Sequence, residues 1–320
     1  MVKLAVMIEG QEGLTWERWR RIVDTADRLN FDAVFRSDHL FSLTGPSDRD
    51  CIALWPSLND VGYRSSKLKY GQLVSPTTFR HPVHLAIDAV AADELSGGRF
   101  MLGVGAGWNE NEHRAFGFPL LPVKERMDRF EEALKVITLL WSGEPATFKG
   151  EHFTLDGAQS YPLPTRGNKV PLMIGGGGEK RTLRLVAEYA DEWNITPATV
   201  EVYDHKVEVL LRHCEAVGRD PGTIRRSIML GHLIGRNEKE LRERAARMRE
   251  PLRTLADVEP DEIIRRWRER GFLIGTPEEI VEDIKRREAQ GIERIMLQTH
   301  DQEDMEALEL FAAEVMPHIA

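Results

Sequence analysis

The stretch Arg99-Phe-Met-Leu-Gly-Val-Gly-Ala-Gly-Trp-Asn109 decides the fold. Its first part, Phe100 to Val104, is a short apolar run of the kind typical of a strand buried on both faces. The run opens into alternating glycines and ends at Trp108. Because glycine has no side chain, another part of the molecule or a ligand can approach the backbone closely there.

Further short apolar runs occur along the chain and alternate with segments of helical periodicity. Such alternation predicts a parallel sheet. Eight units in 320 residues fit a single α/β protein with a (β/α)8 TIM barrel better than a two-domain chain, and a doubly wound sheet is the structural alternative. The predicted strands are Leu4–Ile8, Phe31–Phe35, Lys69–Val74, Phe100–Val104, Leu172–Ile174, Glu192–Thr196, Arg225–Ile234 and Ile292–Leu297.

One segment interrupts the alternation after the helix that follows strand four. Residues 142–170 contain several prolines and glycines around a strand-like stretch, Glu151 to Leu155. Loops of that length are uncommon inside a domain unless they are functional, so we interpret the segment as a surface insertion with a short hairpin. Residues 1–320 are then expected to form one barrel domain with this insertion.

The composition argues against several classes of function. The formal net charge is -9 and the acidic residues are spread along the chain, so no basic face for nucleic acid is evident. No stretch approaches the roughly 18 apolar residues of a membrane span. Cys51 and Cys214 form no disulfide framework, and the histidines lack tight metal-ligand spacing. We expect a cytoplasmic protein without a metal, nucleic-acid or membrane partner.

In barrels of this kind the reactive groups lie at the C-terminal ends of the strands. Strand two ends in Asp38-His39, and a histidine there titrates near neutral pH and can move a proton, although a lone Asp-His pair is more often structural. Strand five ends in Gly175–Gly178 ahead of a helix, where N–H groups and the positive helix end favour a phosphate over a mere flexible turn. Other strand ends carry Glu9, Ser75, Trp108, Asn194, His232 and His300.

Six motifs that occur in order resemble the bacterial luciferase-like superfamily. The likeness covers nearly the whole chain and is greatest for the branch of F420-dependent oxidoreductases, although FMN-using relatives share much of the pattern. The motifs are Ser37-Asp-His39, Leu73-Val-Ser-Pro-Thr-Thr-Phe-Arg-His-Pro82, Leu95-Ser-Gly-Gly-Arg99, Leu102-Gly-Val-Gly-Ala-Gly-Trp108, Ile174-Gly-Gly-Gly177 and Ala190-Asp-Glu-Trp-Asn194.

The resemblance implies a barrel whose mouth holds a flavin or deazaflavin. The glycines between Gly103 and Trp108 would leave room for a tricyclic ring to lie across this mouth. His39 and Asp38 match residues beside the ring and are the expected catalytic residues. A non-proline cis peptide is common behind the ring in this family, and Gln72–Leu73 is its match here. The expected cofactor-binding residues are Asp38, Gln72, Leu73, Ser75, Trp108, Asn111, Gly175, Gly176, Gly177 and Asn194.

Two positions depart from the sugar-phosphate dehydrogenases of this branch. Ala198 stands where those members carry a lysine that binds substrate phosphate, which argues against a sugar phosphate as substrate. Trp108 stands where they carry an acidic proton donor. Either His39 acts alone, or an acid replaces that donor. The candidate acids are Glu9, Glu110 and Glu112.

The resemblance implies an oxidoreductase that transfers a hydride between the deazaflavin coenzyme F420 and a small organic substrate at the barrel mouth. His39 would transfer a proton or polarise the substrate, and Asp38 would hold the ring and the histidine. The alternative is an FMN-dependent monooxygenase that receives reduced flavin from a reductase and uses O2. A non-catalytic binding barrel is a third hypothesis. Related barrels often pair, so a homodimer is expected by analogy.

Overall fold

Eight parallel strands close into a barrel in the computed structural model, which describes residues 1–167, 169–196 and 199–319. Neighbours in sequence pair around the ring, and the pairing of β8 with β1 closes it. This confirms the predicted TIM barrel. The strands are β1 Lys3–Ile8, β2 Ala33–Arg36, β3 Lys69–Gln72, β4 Phe100–Gly105, β5 Leu172–Gly175, β6 Glu192–Ile195, β7 Arg225–Ile234 and β8 Arg294–Thr299.

Helices surround the barrel and bury an apolar stripe against it. In α5, for example, Met127, Phe130, Leu134 and Ile137 are buried at helical spacing. Within the described ranges, no helix is long and apolar enough to cross a membrane. The helices are α1 Trp16–Arg28, α2 Leu54–Arg64, α3 Pro82–Ser96, α4 Glu110–Phe116, α5 Val123–Leu140, α6 Thr182–Tyr189, α7 Val200–Val217, α8 Glu238–Arg247, α9 Pro260–Glu269, α10 Pro277–Ala289 and α11 Met305–Leu310.

Short strands supplement the barrel. Leu273–Gly275 extends the sheet beside β7. Within the 142–170 segment, Ala146–Lys149 and Thr154–Ala158 form an antiparallel hairpin. The carboxylate of Glu132 on α5 accepts hydrogen bonds of 2.7 to 3.0 Å from the backbone N–H groups of residues 151, 152 and 153. These bonds fix the hairpin to a helix on the outside of the barrel.

A buried ion pair network closes the N-terminal end of the barrel. Arg294, which is 1% exposed, lies at the start of β8. Its guanidinium donates to Asp32 at 2.8 Å and to Glu192, at the start of β6, at 2.5 Å. Buried charges require such partners because leaving water is costly. The opposite, C-terminal end is therefore the one at which a ligand can enter.

The chain bulges directly after β3. Gly71 pairs with Met101 of β4, and Ser75, in the short strand Ser75–Pro76, pairs with Val104. The segment from Gly71 to Ser75 is thus one residue longer than the segment of β4 opposite it, from Met101 to Val104. The extra residue is accommodated as a bulge. The cis peptide bond is Leu73–Val74. The expectation of Gln72–Leu73 was wrong, because Gln72 is still paired in β3 and the irregularity begins one residue later.

Glycines surround Val74 in this bulge. A Cβ added at Gly105 would lie 2.8 Å from Val74 Cγ2, and one added at Gly175 would lie 3.2 Å from Val74 Cγ1. At Gly103 it would lie 3.3 Å from Val74 Cγ1 and only 1.9 Å from the carbonyl oxygen of Gln72. The glycines of β4 therefore make room for the bulge, and Gly105 and Gly107 also line the cavity described below.

We expect Gly103→Ala to lower the free energy of unfolding by about 3 kcal/mol, because the new methyl group collides with a backbone oxygen that cannot move independently. The control is Gly222→Ala, whose Cβ would meet a side-chain oxygen of Asp220 at 3.2 Å in an exposed turn. Urea unfolding midpoints measure both effects. Equal midpoints for the two variants would show that the close approach at Gly103 is unimportant.

Candidate active site

A cavity of about 640 Å³ opens at the C-terminal ends of the strands. Its volume lies within the roughly 300–1,000 Å³ of small-molecule and cofactor sites. Apolar parts of its wall come from Met7, Leu73, Val74, Trp108 and Met229. Polar and charged side chains from the ends of several strands interrupt this wall, so the cavity can both hold an apolar group and orient a polar one.

Asp38 follows β2 and is held from two sides. It is 2% exposed, and its carboxylate accepts hydrogen bonds from Arg80 Nε at 3.0 Å and Arg80 Nη2 at 2.7 Å. The hydroxyl of Ser75 donates to it at 2.5 Å. Burial tends to lower the pKa of Arg80, but the hydrogen bond and charge of Asp38 raise it overall. Asp38 is therefore a fixed, charge-compensated carboxylate at the cavity wall.

His39 is paired with Glu112 in the wall of the cavity. The Nδ1 atom of His39 lies 3.0 Å from Glu112 Oε2, and the backbone N–H of Leu40 donates to Glu112 Oε1 at 2.6 Å. The side chain of Asn109 caps α4 by accepting from the N–H of Glu112 at 2.8 Å. This cap begins the helix and directs Glu112, which is 1% exposed, towards His39.

The electrostatic environment favours the protonated form of His39. Burial by itself would lower the pKa of His39, but the hydrogen bond and charge of Glu112, together with Glu9 and Asp38, raise it above its ordinary value. Because Nδ1 is bonded to Glu112, Nε2 is the nitrogen that can exchange a proton with a molecule in the cavity. Trp108, which is 66% exposed, packs edge-on to the imidazole at 6.0 Å between ring centroids.

The glycine-rich loop after β5 borders the cavity through Gly175 and Gly176. Gly176 has a φ of 121°, a conformation that side chains rarely adopt. Its N–H donates to the backbone oxygen of Asn194 at 3.0 Å, and its carbonyl accepts from Trp193 Nε1 at 2.8 Å. The loop is thereby attached to β6 and leads into the N-terminus of α6, where Thr182 also lines the cavity.

The structure brings most of the expected site residues to the cavity. Asn194, for example, lines it from β6 and donates from Nδ2 to Ser227 Oγ at 2.9 Å, which fixes the orientation of its amide. The expected residues that line the cavity are Asp38, His39, Leu73, Trp108, Gly175, Gly176 and Asn194.

Other expected residues lie elsewhere. Gln72 is 0% exposed and lies outside the cavity wall, to which its neighbour Leu73 belongs. Ser75 contacts Asp38 instead of the cavity. Asn111 is exposed on α4 and accepts a hydrogen bond from Arg114 at 2.8 Å. Gly177 and the candidate acid Glu110 are not part of the wall. Ala198, the position that argues against a sugar phosphate, lies outside the described residues.

Sequence reasoning missed the partners that organise the site. Arg80 lies within one of the family motifs, and the sequence pattern assigns a role neither to Arg80 nor to Arg49. Arg49 Nη1 donates to Glu12 at 2.9 Å, and Glu12 also accepts from Ser42 Oγ at 2.7 Å and from the N–H of Leu43 at 2.8 Å. Burial raises the pKa of Glu12, but these bonds outweigh it and lower the pKa overall. Glu12 thus holds the loop after β2 beside the cavity.

The geometry of the described residues also limits the chemistry. No group of three histidine, cysteine, aspartate or glutamate side chains in the described ranges could hold a metal ion. The cavity instead offers an apolar wall, a histidine–carboxylate pair and a glycine loop at a helix start. This combination suits an organic cofactor with an anionic tail better than a metal centre.

The model of the luciferase-like monooxygenase family matches residues 3–294. The chain belongs to this family. Among its relatives, an uncharacterised Mycobacterium tuberculosis protein is 30% identical over 177 residues, which are 55% of this chain and 61% of that protein. The alignment therefore spans less than two thirds of that relative. An F420-dependent glucose-6-phosphate dehydrogenase of Amycolatopsis mediterranei is 28% identical over 92% of each chain.

The solved structures agree with this family membership at the level of the fold. A structure titled as an F420-dependent secondary alcohol dehydrogenase in complex with an F420-acetone adduct superposes with a TM-score of 0.84. The superposition covers 100% of both chains at 22% sequence identity. At this identity the likeness shows that the luciferase-like chain shares the barrel, and its chemistry has to be argued from its own cavity.

In this luciferase-like protein we expect Glu112→Gln to lower the pKa of His39 from its raised value, because burial remains while the largest opposing charge is lost. NMR titration of the His39 ring protons measures this pKa. The matched control is Glu110→Gln, which removes an equal charge from an exposed position on the same helix.

An unchanged pKa of His39 in Glu112→Gln would contradict the pairing.

The pairing of His39 with Glu112 should also make the free energy of unfolding depend on pH. Since folding raises the pKa of His39, the pair stabilises the fold below the pKa of an unfolded histidine. That contribution is lost as the pH rises through the folded pKa, and Glu112→Gln should reduce this pH dependence.

Proposed function

We propose that this chain is an F420-dependent oxidoreductase that transfers a hydride between F420 and a small organic substrate in the cavity at the barrel mouth. The observation that carries the proposal is the His39–Glu112 pair, a proton-exchanging group placed in the wall of a cofactor-sized cavity. The relative from Amycolatopsis mediterranei, similar over almost the whole chain, is named as an F420-dependent enzyme and supports this choice of cofactor.

The residues present fit a flat ring with a phosphate-bearing tail. Leu73, Val74 and Trp108 offer apolar surface for the ring, and Asn194 and Asp38 offer polar groups beside it. The loop that contains Gly175 and Gly176 would hold the tail, since it leads to the positive N-terminus of α6. Ser75 acts in this proposal by positioning Asp38.

The reaction would move one hydride between the substrate and the cofactor, and one proton between the substrate and the protein. Bound F420 would supply a ring carbon that takes up or gives the hydride. When a carbonyl group is reduced, protonated His39 gives the proton from Nε2 to the carbonyl oxygen. In the reverse direction, the neutral form of His39 takes the hydroxyl proton at Nε2 as the alcohol carbon loses the hydride. Glu112 stabilises the imidazolium that this transfer forms, as a carboxylate partner does for other catalytic histidines. Trp108 limits the access of water to the site.

Titration of the protein with F420 and, separately, with FMN tests the cofactor. We expect saturable binding of F420, followed by the change in cofactor fluorescence, and weaker binding of FMN. Tighter binding of FMN than of F420 would favour the alternative monooxygenase. Binding of neither cofactor would overturn the proposal and favour a non-catalytic module.

We expect His39→Ala to lower kcat by about 10²- to 10⁴-fold, the usual contribution of a general acid or base, while the Kd for F420 changes less than about threefold. Steady-state rates with any compound that changes the visible absorbance of F420, together with cofactor titration, measure the two quantities. His84→Ala, at an exposed position on α3, is the control. Equal kcat values in the wild type and His39→Ala would remove His39 from the mechanism.

A further inference from the structure

The charges around the cavity have one sign. Among the residues that the structure describes, four carboxylates line the cavity and no lysine or arginine does. The positions outside the described ranges are Asn168, Pro197, Ala198 and Ala320, none of which is basic. Glu9 and Glu12 follow β1, which lies across the barrel from the glycine loop after β5. Their negative potential therefore disfavours an anionic substrate group on the β1 side, whereas the cofactor's tail would lie on the opposite side.

Three of these carboxylates already have a partner that carries or can carry positive charge. Asp38 is bonded to Arg80, and Glu12 to Arg49. Glu112 is bonded to His39, whose pKa is raised. These pairs are local, so they leave little charge for a substrate to recognise.

Glu9, at the end of β1, differs from the other three. Its carboxylate accepts from Gln298 Nε2 at 2.5 Å and from Gln11 Nε2 at 2.9 Å, and within the described residues it forms no ion pair. Gln302 Nε2 donates to its backbone oxygen at 3.1 Å. Neutral amides fix the orientation of the carboxylate without cancelling its charge.

The ionisable groups near Glu9 compensate its charge only in part. Glu9 contributes to the raised pKa of His39, but that imidazole is hydrogen-bonded to Glu112. Burial lowers the pKa of His300, although Glu9 and Glu12 act in the opposite direction, and this disfavours a positive charge on the imidazole. Arg36 lies behind the end of β2, where its guanidinium donates to Ser57 Oγ at 2.6 Å and to the carbonyl of Ile52 at 3.0 Å, and it does not line the cavity.

We propose that the substrate is a protonated amine with an apolar body, that its ammonium group binds Glu9, and that substrates with carboxylate or phosphate groups are excluded. This inference rests on the proposed function and names the substrate class of the same site. The apolar body would pack on Met7, Leu43 and Met229, which line the cavity with Glu9. An ammonium ion bound to a fixed, partly buried carboxylate gains a charge-assisted hydrogen bond.

Three probes of similar shape test the charge preference on the F420-loaded protein. Benzylammonium, benzyl alcohol and benzoate differ mainly in the charge of one group, and isothermal titration calorimetry gives their Kd values. We expect benzylammonium to bind about tenfold more tightly than benzyl alcohol, and benzoate to bind most weakly. Benzoate binding as tightly as benzylammonium would overturn the proposal.

Variants assign the preference to Glu9. In Glu9→Gln the Kd values of benzylammonium and benzyl alcohol should agree to within about twofold, because the amide keeps the shape but not the charge. Glu9→Asp keeps the charge and should keep part of the preference, which guards against a variant that simply folds poorly. Glu110→Gln removes a charge outside the cavity and should leave the preference unchanged. A preference that survives Glu9→Gln would contradict the role of Glu9.

The same samples separate this inference from the proposed function. If F420 binds and the probes show no charge preference, the substrate class is wrong and the oxidoreductase proposal stands. If F420 does not bind, the oxidoreductase proposal fails. The probes are then measured on the cofactor-free protein, where the same carboxylate predicts the same order of affinities, and an order led by benzoate would refute the inference as well.

Discussion

The position of Val74 among glycines is the constraint on which the site depends. The chain after β3 carries one residue more than β4 opposite it, and the bulge fits because Gly103, Gly105 and Gly175 have no side chains to displace it. The bulge supplies apolar wall to the cavity. The bulge also sets the positions of the residues that follow it. Two of these, Ser75 and Arg80, hold Asp38 by hydrogen bonds.

Closure of the barrel brings the bulge and the other strand ends together around one cavity. Because β1 pairs with β8 and β6 with β7, the ends of all the strands form one rim around the cavity. Residues far apart in the chain therefore share one electrostatic environment. Most carboxylates there are paired with a local positive group, whereas Glu9 is held by amides alone within the described residues. This difference in pairing distinguishes the carboxylates that build the wall from the one that we propose binds a ligand.

The sequence was sufficient for the barrel and for part of the site. Buried parallel strands are short apolar runs, and the rule that reactive groups follow these strands brought out Asp38 and His39. The sequence could not predict contacts between side chains that are far apart in the chain, because these contacts depend on how the strands are aligned. Glu112 lies 73 residues from His39, and Arg80 lies 42 residues from Asp38. The bulge depends on a difference of one residue between β3 and β4, which no periodicity shows, so the cis bond was placed one position early.

The most direct test of the account is a crystal structure of the protein grown with F420. The account predicts electron density for the deazaflavin ring in the cavity, in contact with Val74 and within reach of His39. Density for the tail should follow the loop that contains Gly176. Cofactor density outside this cavity, or a ring separated from His39 by protein, would contradict the account.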